Sequence, residues 1–474
     1  MKNRRGKTFL KLMLLIFVLP AGAITVSAQD YTHPRKMKLP ASRFERPDPI
    51  ALQTVLENGL TGYIVEDHSV PLVTFSAFVR AGKMSDKKQG AAEALGHAFR
   101  EFGPTSSSQS EFKATLKNMV ADFSVTVHDE WTEITLNVPH SDTWGAFWLF
   151  ASLLKHPNIS SESLQHVSAM ANLSAAGVAN ATGESGPVLY EGSLGVAVDK
   201  FHQILFKGHS RGVAPTKSHA AGLSIKDVSR FHETHFIPST TTIAISGDFN
   251  SADMKRSLTE HFGNWPKKKR PGKMKVAPLA ASEPAGVHYF RSDKLQSWLV
   301  MGQELPEMSL KEMASLEVMN YILGGGHFST RLFIETRDKY GLTNDASGFL
   351  EESWSGPGSY TFRTYSRPEV MPVLYKNIRG ELEKIRKTAV SEEELFIAKN
   401  ALVDGEYQGQ FATGDATART FALEWLRYGS HEATASYPAR IRAVSIDDVK
   451  KAAKKYINLD RFHVVLVGPE NNLQ

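Results

Sequence analysis

The chain has 474 residues, 42% of them hydrophobic, with no cysteine and a formal net charge of +5. This composition excludes an intrinsically disordered chain, and the lack of cysteine excludes disulfide staples and any thiolate nucleophile or metal ligand. The charge does not point to nucleic acid. Residues 1–28 hold five basic side chains and no acidic one, so they account for the whole excess.

In chain order, Lys2, Arg4, Arg5, Lys7 and Lys11 precede an apolar core, Leu12–Val18, and the small-residue site Val26-Ser27-Ala28. This pattern predicts a secretory signal peptide over 1–28 and an exported, periplasmic protein without a membrane span after its removal. A retained anchor is the alternative, but the apolar core is short for a span of roughly 20 residues. Residues 29–49 follow as an N-terminal extension, and what remains is too long for one ordinary core.

Leu60–Val65 and Leu72–Val79 are expected strands, joined by a turn at Asp67–Val70. Ala91–Phe102 is an expected helix stopped by Gly103-Pro104, and Glu111–Asp122 a second helix. Phe123–Val127 and Trp131–Val138 form an expected hairpin about His128-Asp129-Glu130. Helices follow at Trp144–Lys155 and Ser163–Ala176, the first with Phe147, Leu149, Phe150 and Leu153 as core. The Gly-rich stretch holding Glu184, Pro187 and Glu191 is expected to be loop.

Two segments align without a gap at an offset of 221 positions, Leu223–Asp248 and Val444–Pro469. Ser224/Ser445, Ile225/Ile446, Asp227/Asp448, Val228/Val449 and Gly247/Gly468 coincide. Each segment is an N-cap serine, a helix and a β-branched strand closed by glycine, which indicates duplication. Pro266, Pro271, Pro278 and Pro284, with the run Lys267–Arg270, predict a linker over 265–286 between a domain at 50–264 and a second at 287–474. Strands followed by packed helices, twice over, predict an α+β fold of two homologous αβ sandwiches. Ser391 and Glu394 form an expected capping box for a helix running toward Tyr407.

In the second half, Gly324–Gly326 stop the apolar run Met319–Leu323. Leu332, Phe333, Thr336 and Tyr340 then recur at helical spacing before Gly341. The whole stretch Leu323–Gly348 resembles the second domain of the pitrilysin/insulinase (inverted-zincin) metallopeptidases, which read roughly GGG-x-x-S-R-L-F-x-x-L-R-E-x-x-G-L-x-Y. Gly324–Gly326, Ser329, Arg331, Leu332, Phe333, Arg337, Gly341 and Leu342 match. Asn344 stands where that family has tyrosine.

The resemblance covers nearly all of residues 50–470. It implies two similar αβ domains facing each other like a clamp around a peptide cleft. It also implies H-x-x-E-H on a first-domain helix, where histidines one turn apart share a zinc ion and the glutamate takes a proton from the bound water. The corresponding residues here are Glu93, Gly96 and His97, so only the second histidine survives. No acid stands between Glu162 and Glu184 to act as the further ligand. His97 with Glu101 is one turn apart but has the spacing of an ordinary surface pair. His232-x-x-His235 falls on the duplicated helix, where the family carries scaffold histidine. Arg337 and Asn344 occupy the places from which the family's arginine and tyrosine hold substrate, and Asn344 cannot donate a phenolic hydrogen bond.

The expectation is therefore a non-catalytic, cleft-forming subunit with no cofactor. Its partners would be peptide or unfolded polypeptide and a zinc-bearing sister chain or second copy, with no nucleic acid. Two alternatives stay open. One is an active zinc peptidase using Glu93 and His97, and the other is a peptide-binding or assembly protein with no enzymatic partner.

Overall fold

A computed structural model of the protein describes residues 44–175, 179–183, 186–190, 194–212, 216–272 and 284–473. The expected signal peptide, Glu184, Glu191 and residues 273–283 of the expected linker lie outside the described residues. Glu45–Gln474 forms one compact unit.

The first half holds β1 (Gln53–Val55), β2 (Thr61–Glu66), β3 (Leu72–Val79), β4 (Asp122–Val127) and β5 (Thr132–Pro139). After these come a hairpin, β6 (Ala179–Gly183) and β7 (Gly186–Tyr190), and then β8 (Thr241–Gly247). The second half holds β9 (Gly286–Arg291), β10 (Ser297–Leu305), β11 (Ala346–Glu351), β12 (Gly358–Ser366) and β13 (His463–Gly468). The first sheet runs β1-β2-β8-β3-β5-β4, and the second, taken from its other edge, runs β9-β13-β10-β12-β11. Apart from the extra β1, the two orders are the same. In each, the last strand in sequence inserts parallel to the opening strand and antiparallel to the next one. The duplication seen in the sequence is thus a duplication of topology, and the α+β class holds.

Local chemistry explains most boundaries. Ser224 with Asp227, Ser445 with Asp448 and Ser391 with Glu394 all form capping boxes, so the orphan N–H groups of each first turn are satisfied. Replacing Ser224 or Ser445 by alanine is expected to cost about 1 kcal/mol, read as a drop in the urea midpoint.

Three expectations need correction. The helix after Gly103-Pro104 is Gln109–Asn118, not Glu111–Asp122, because the chain turns at Val120, which takes φ of 48°. The stretch expected as loop pairs instead as the β6–β7 hairpin. Trp265, placed in the linker, is buried in the first core, and β9 begins at Gly286.

The halves are interlocked by exchanged helices. Helix Leu194–Leu205 belongs to the first half by sequence. Its Val196, Ala197, Phe201 and Leu205, with Phe206, pack against Val300, Val465 and Val467 of the second sheet. Val464 and Leu466 of the same strand face the other core, so β13 is apolar on both faces, as its unbroken HVVLV run requires. The offset of 221 carries this helix onto Gly414–Tyr428, and that helix makes the reciprocal contact with the first sheet. There Phe421 meets Tyr63 at 6.1 Å, Arg419 lies 5.2 Å from the Phe78 ring centre, and Arg419 makes a two-pronged ion pair with Glu133. Arg80 donates to the carbonyls of Leu426 and Arg427 at 2.9 and 3.0 Å, tying the C-terminal end of that helix to the first half.

Candidate functional site

The helix Ala91–Phe102 carries Glu93, Gly96 and His97. Its start is held by Asp86, whose carboxylate accepts from the N–H groups of Gly90 and Ala92 at 2.7 and 2.9 Å. Burial pushes the Asp86 carboxyl up to about 7 despite those bonds.

Each degenerate position has a packing role. Glu93 forms a 3.3 Å ion pair with Lys83. Gly96 faces β4 so closely that a Cβ there would lie 2.5 Å from Cγ2 of Val127, a buried core residue. Glycine inside a helix costs up to about 1 kcal/mol, and the helix itself gives it nothing in return. The structure supplies the return, since helix and sheet meet at a distance no side chain permits. Arg100, one turn on, donates to the Val125 carbonyl at 2.8 Å and keeps helix and strand at that spacing.

His97 is stacked on His166 of helix Ser161–Ala175, with ring centres 4.2 Å apart and planes at 18°. Burial, followed by the neighbouring His166 and Arg100, pushes His97 down to about 4, and burial also lowers His166. Both rings are therefore neutral at pH 7, and the buried Nδ1 of His97 has no hydrogen-bond partner. Glu101 does not pair with His97 but with Lys113, at 2.7 Å. His166 escaped the sequence reading because only acids were sought downstream of the helix. A histidine in the Glu162–Glu184 interval was the available signal.

Among the described residues, no group of three or more His, Asp or Glu side chains is placed to hold a metal ion. The residues present do not fit the zinc site of the resembled family. Parallel stacked imidazoles do not converge on one point, Glu93 is paired with an ammonium group, and position 96 offers no carboxylate.

In the second half, the helix Leu310–Asn320 widens at Tyr321–Gly325 and ends in the glycine run. Gly324 lets the run lie against β11, since a Cβ would meet the Gly348 nitrogen at 2.7 Å. Arg331 makes a two-pronged bond to Glu394 at 2.6 and 2.9 Å, joining the motif to the capped helix Glu392–Asn400. Arg337 is exposed and lies 4.8 Å from the centre of the Phe333 ring and 5.9 Å from that of Phe328. Asn344 is exposed in the turn before β11. His232 is scaffold, with Nε2 bonded at 2.8 Å to the Leu154 carbonyl.

The family described as peptidase M16 inactive domain matches residues 222–402. An uncharacterised zinc protease of Mycobacterium bovis is 24% identical over 281 residues, 58% of this chain and 62% of its own length. These likenesses support a place for the chain in the pitrilysin/insulinase (M16) peptidase family.

The chain also matches the zinc protease PqqE of Helicobacter pylori, at 23% identity over 52% of the chain and 55% of that protein. The match thus spans about three fifths of the length of the first of these curated relatives, and less of the second. Its fold is that of the peptidase M16 inactive domain of Pseudomonas fluorescens, with a TM-score of 0.75 at 18% identity, covering 89% of this chain and 98% of that one. An M16-like peptidase of Alicyclobacillus acidocaldarius gives 0.74 at 14% identity, covering 91% and 99%.

Proposed function

We propose that this M16 chain is a non-catalytic subunit that is exported to the periplasm and lines a peptide cleft opposite a zinc-bearing sister chain. The observation that carries this reading is the helix Ala91–Phe102. The face that would hold zinc is spent on packing, with Gly96 against Val127, His97 against His166 and Glu93 against Lys83. A general base at position 96 would be worth roughly 10²–10⁴-fold in rate, and glycine supplies none. Arg337, free of the core, is available to a bound peptide. No helix among the described residues is long and apolar enough to cross a membrane.

A second reading, an active zinc peptidase, is favoured by the zinc-protease relatives and by the adjacency of His97 and His166. One set of measurements separates the two. Tagged chain isolated from its own host is sequenced at its N-terminus, sized, assayed for zinc after dialysis and tested on a quenched peptide with and without chelator. The first reading expects a start near Gln29 and a complex whose partner carries the zinc and the chelator-sensitive turnover. The interface should bury more than about 1,000 Å². One zinc per chain with turnover by the isolated chain would overturn it in favour of the second reading. A lone monomer without activity would remove the partner.

A further inference from the structure

Between the helices Leu310–Asn320, Gly414–Tyr428 and Glu432–Ala443 lies a cavity of about 370 Å³. This is within the range of small-ligand sites. Five aromatic rings line it. Trp131, from the β4–β5 turn, stacks on Trp354, from the loop between β11 and β12, at 4.6 Å and 4°, and Tyr407, Tyr428 and Tyr437 add three more rings.

The charged groups of the wall are compensated, with one exception. Arg427 donates to Glu352 at 2.6 Å. Glu424 accepts from the N–H and hydroxyl of Thr434, both at 2.7 Å. Arg440 spends its donors on the Leu310 and Ala433 carbonyls, at 2.8 and 2.7 Å. That leaves Glu317. The Tyr437 hydroxyl bonds to its carboxyl, but Oε2 is closed off from solvent and has no partner. Burial, followed by the charge of Glu352, pushes this carboxyl up to about 7. A buried carboxylate short of one donor is costly, and a cation entering the cavity would remove that cost.

We propose that this cavity binds a primary ammonium group, either a lysine side chain or an amino terminus, with Glu317 as counter-ion and the tryptophan and tyrosine rings as walls. Aromatic faces attract a desolvated ammonium, and the soft terminal torsion of a glutamate lets either oxygen turn toward it. A compact ammonium suits the space better than a guanidinium. Arg427 and Arg440 already lie over Tyr428 and Tyr437, at 4.8 and 5.7 Å from the ring centres. The one carboxyl of the wall left short of a donor, Glu317, disfavours an anion. This inference does not depend on the presence of a sister chain.

The test is calorimetric titration of the full chain with Nα-acetyl-lysine amide, with glycyl-glycine amide and with the uncharged Nα-acetyl-norleucine amide. Tryptophan fluorescence from Trp131 and Trp354 is followed in parallel. Saturable binding of either amine, at least about tenfold tighter than the norleucine compound, is expected. The two amines distinguish a side chain from an amino terminus. Glu317→Gln, which keeps the shape, should weaken the amine by about tenfold at unchanged melting temperature. Leu423→Trp, which fills the cavity without touching the carboxyl, should abolish binding and carries the test if Glu317→Gln fails to fold. No saturation by either amine, equal binding of the norleucine compound, or a folded variant that binds like wild type would overturn the proposal.

Discussion

Phe201→Ala is expected to lower the stability of the whole Glu45–Gln474 unit by about 3–5 kcal/mol, in a single transition. Phe201 is fully buried on a helix that belongs to the first half by sequence, yet it fills a core built on Val300, Val465 and Val467 of the second. The reciprocal helix, Gly414–Tyr428, carries Phe421 and Arg419 onto the first sheet. Neither sheet is covered on its exchange face unless the other half is present. Hydrophobic burial that normally stabilises one domain is here shared, so a cavity beneath one helix should loosen both sheets. The measurement is urea unfolding followed by far-UV circular dichroism and by tryptophan fluorescence, coincident in wild type and variant. Tryptophans lie in both halves, at Trp131, Trp144, Trp148 and Trp265 and at Trp298, Trp354 and Trp425. Two separate transitions, only one of them shifted, would refute the interlock.

Restoring the family's acid at position 96 is expected to damage the protein without creating a metal site. The new Cβ would fall 2.5 Å from Val127 Cγ2. Valine is β-branched and has little rotamer freedom to withdraw, so helix and strand must separate. Overpacking of this kind costs about 1–3 kcal/mol. Losing a helical glycine returns less than about 1 kcal/mol, so Gly96→Glu should be a net loss. Adding Glu93→His removes only the partly exposed Lys83 pair, worth below about 1 kcal/mol. The check is a double-mutant cycle with Val127→Ala, in which part of the Gly96→Glu cost should disappear because the obstructing methyl is gone. Zinc analysis of Glu93→His/Gly96→Glu should show well under one metal per chain. A double variant as stable as wild type, with stoichiometric zinc, would refute the packing account and show that the ancestral site lies dormant.

The candidate site was legible where chemistry depends on residue identity alone. Losing histidine at position 93 and glutamate at position 96 is visible in the string Gly90–His97. The same is true of Asn344, where the family has tyrosine. What replaced the lost groups was not visible, because the replacements come from elsewhere in the chain: Lys83 before the helix, Val127 from β4 and His166 from the next long helix. The fold shows the same division. The β6–β7 hairpin was read as loop because glycine and proline weaken the local strand signal, whereas pairing between two short strands supplies the missing preference.

By itself the sequence determined what nearest neighbours decide. The capping boxes at Ser224, Ser391 and Ser445, the strands with their β-branched runs, the stop at Gly103-Pro104 and the family wording of Leu323–Gly341 all follow from residues within a few positions of one another. Only the tertiary structure decided that helix Leu194–Leu205 covers the other half's sheet and that Gly96 is needed for a close approach. It alone placed Glu317 without a second hydrogen-bond donor in an aromatic cavity. The physical reason is the same in each case. Burial, steric contact and the compensation of a buried charge are properties of surfaces that meet, and these surfaces come from segments far apart in the chain.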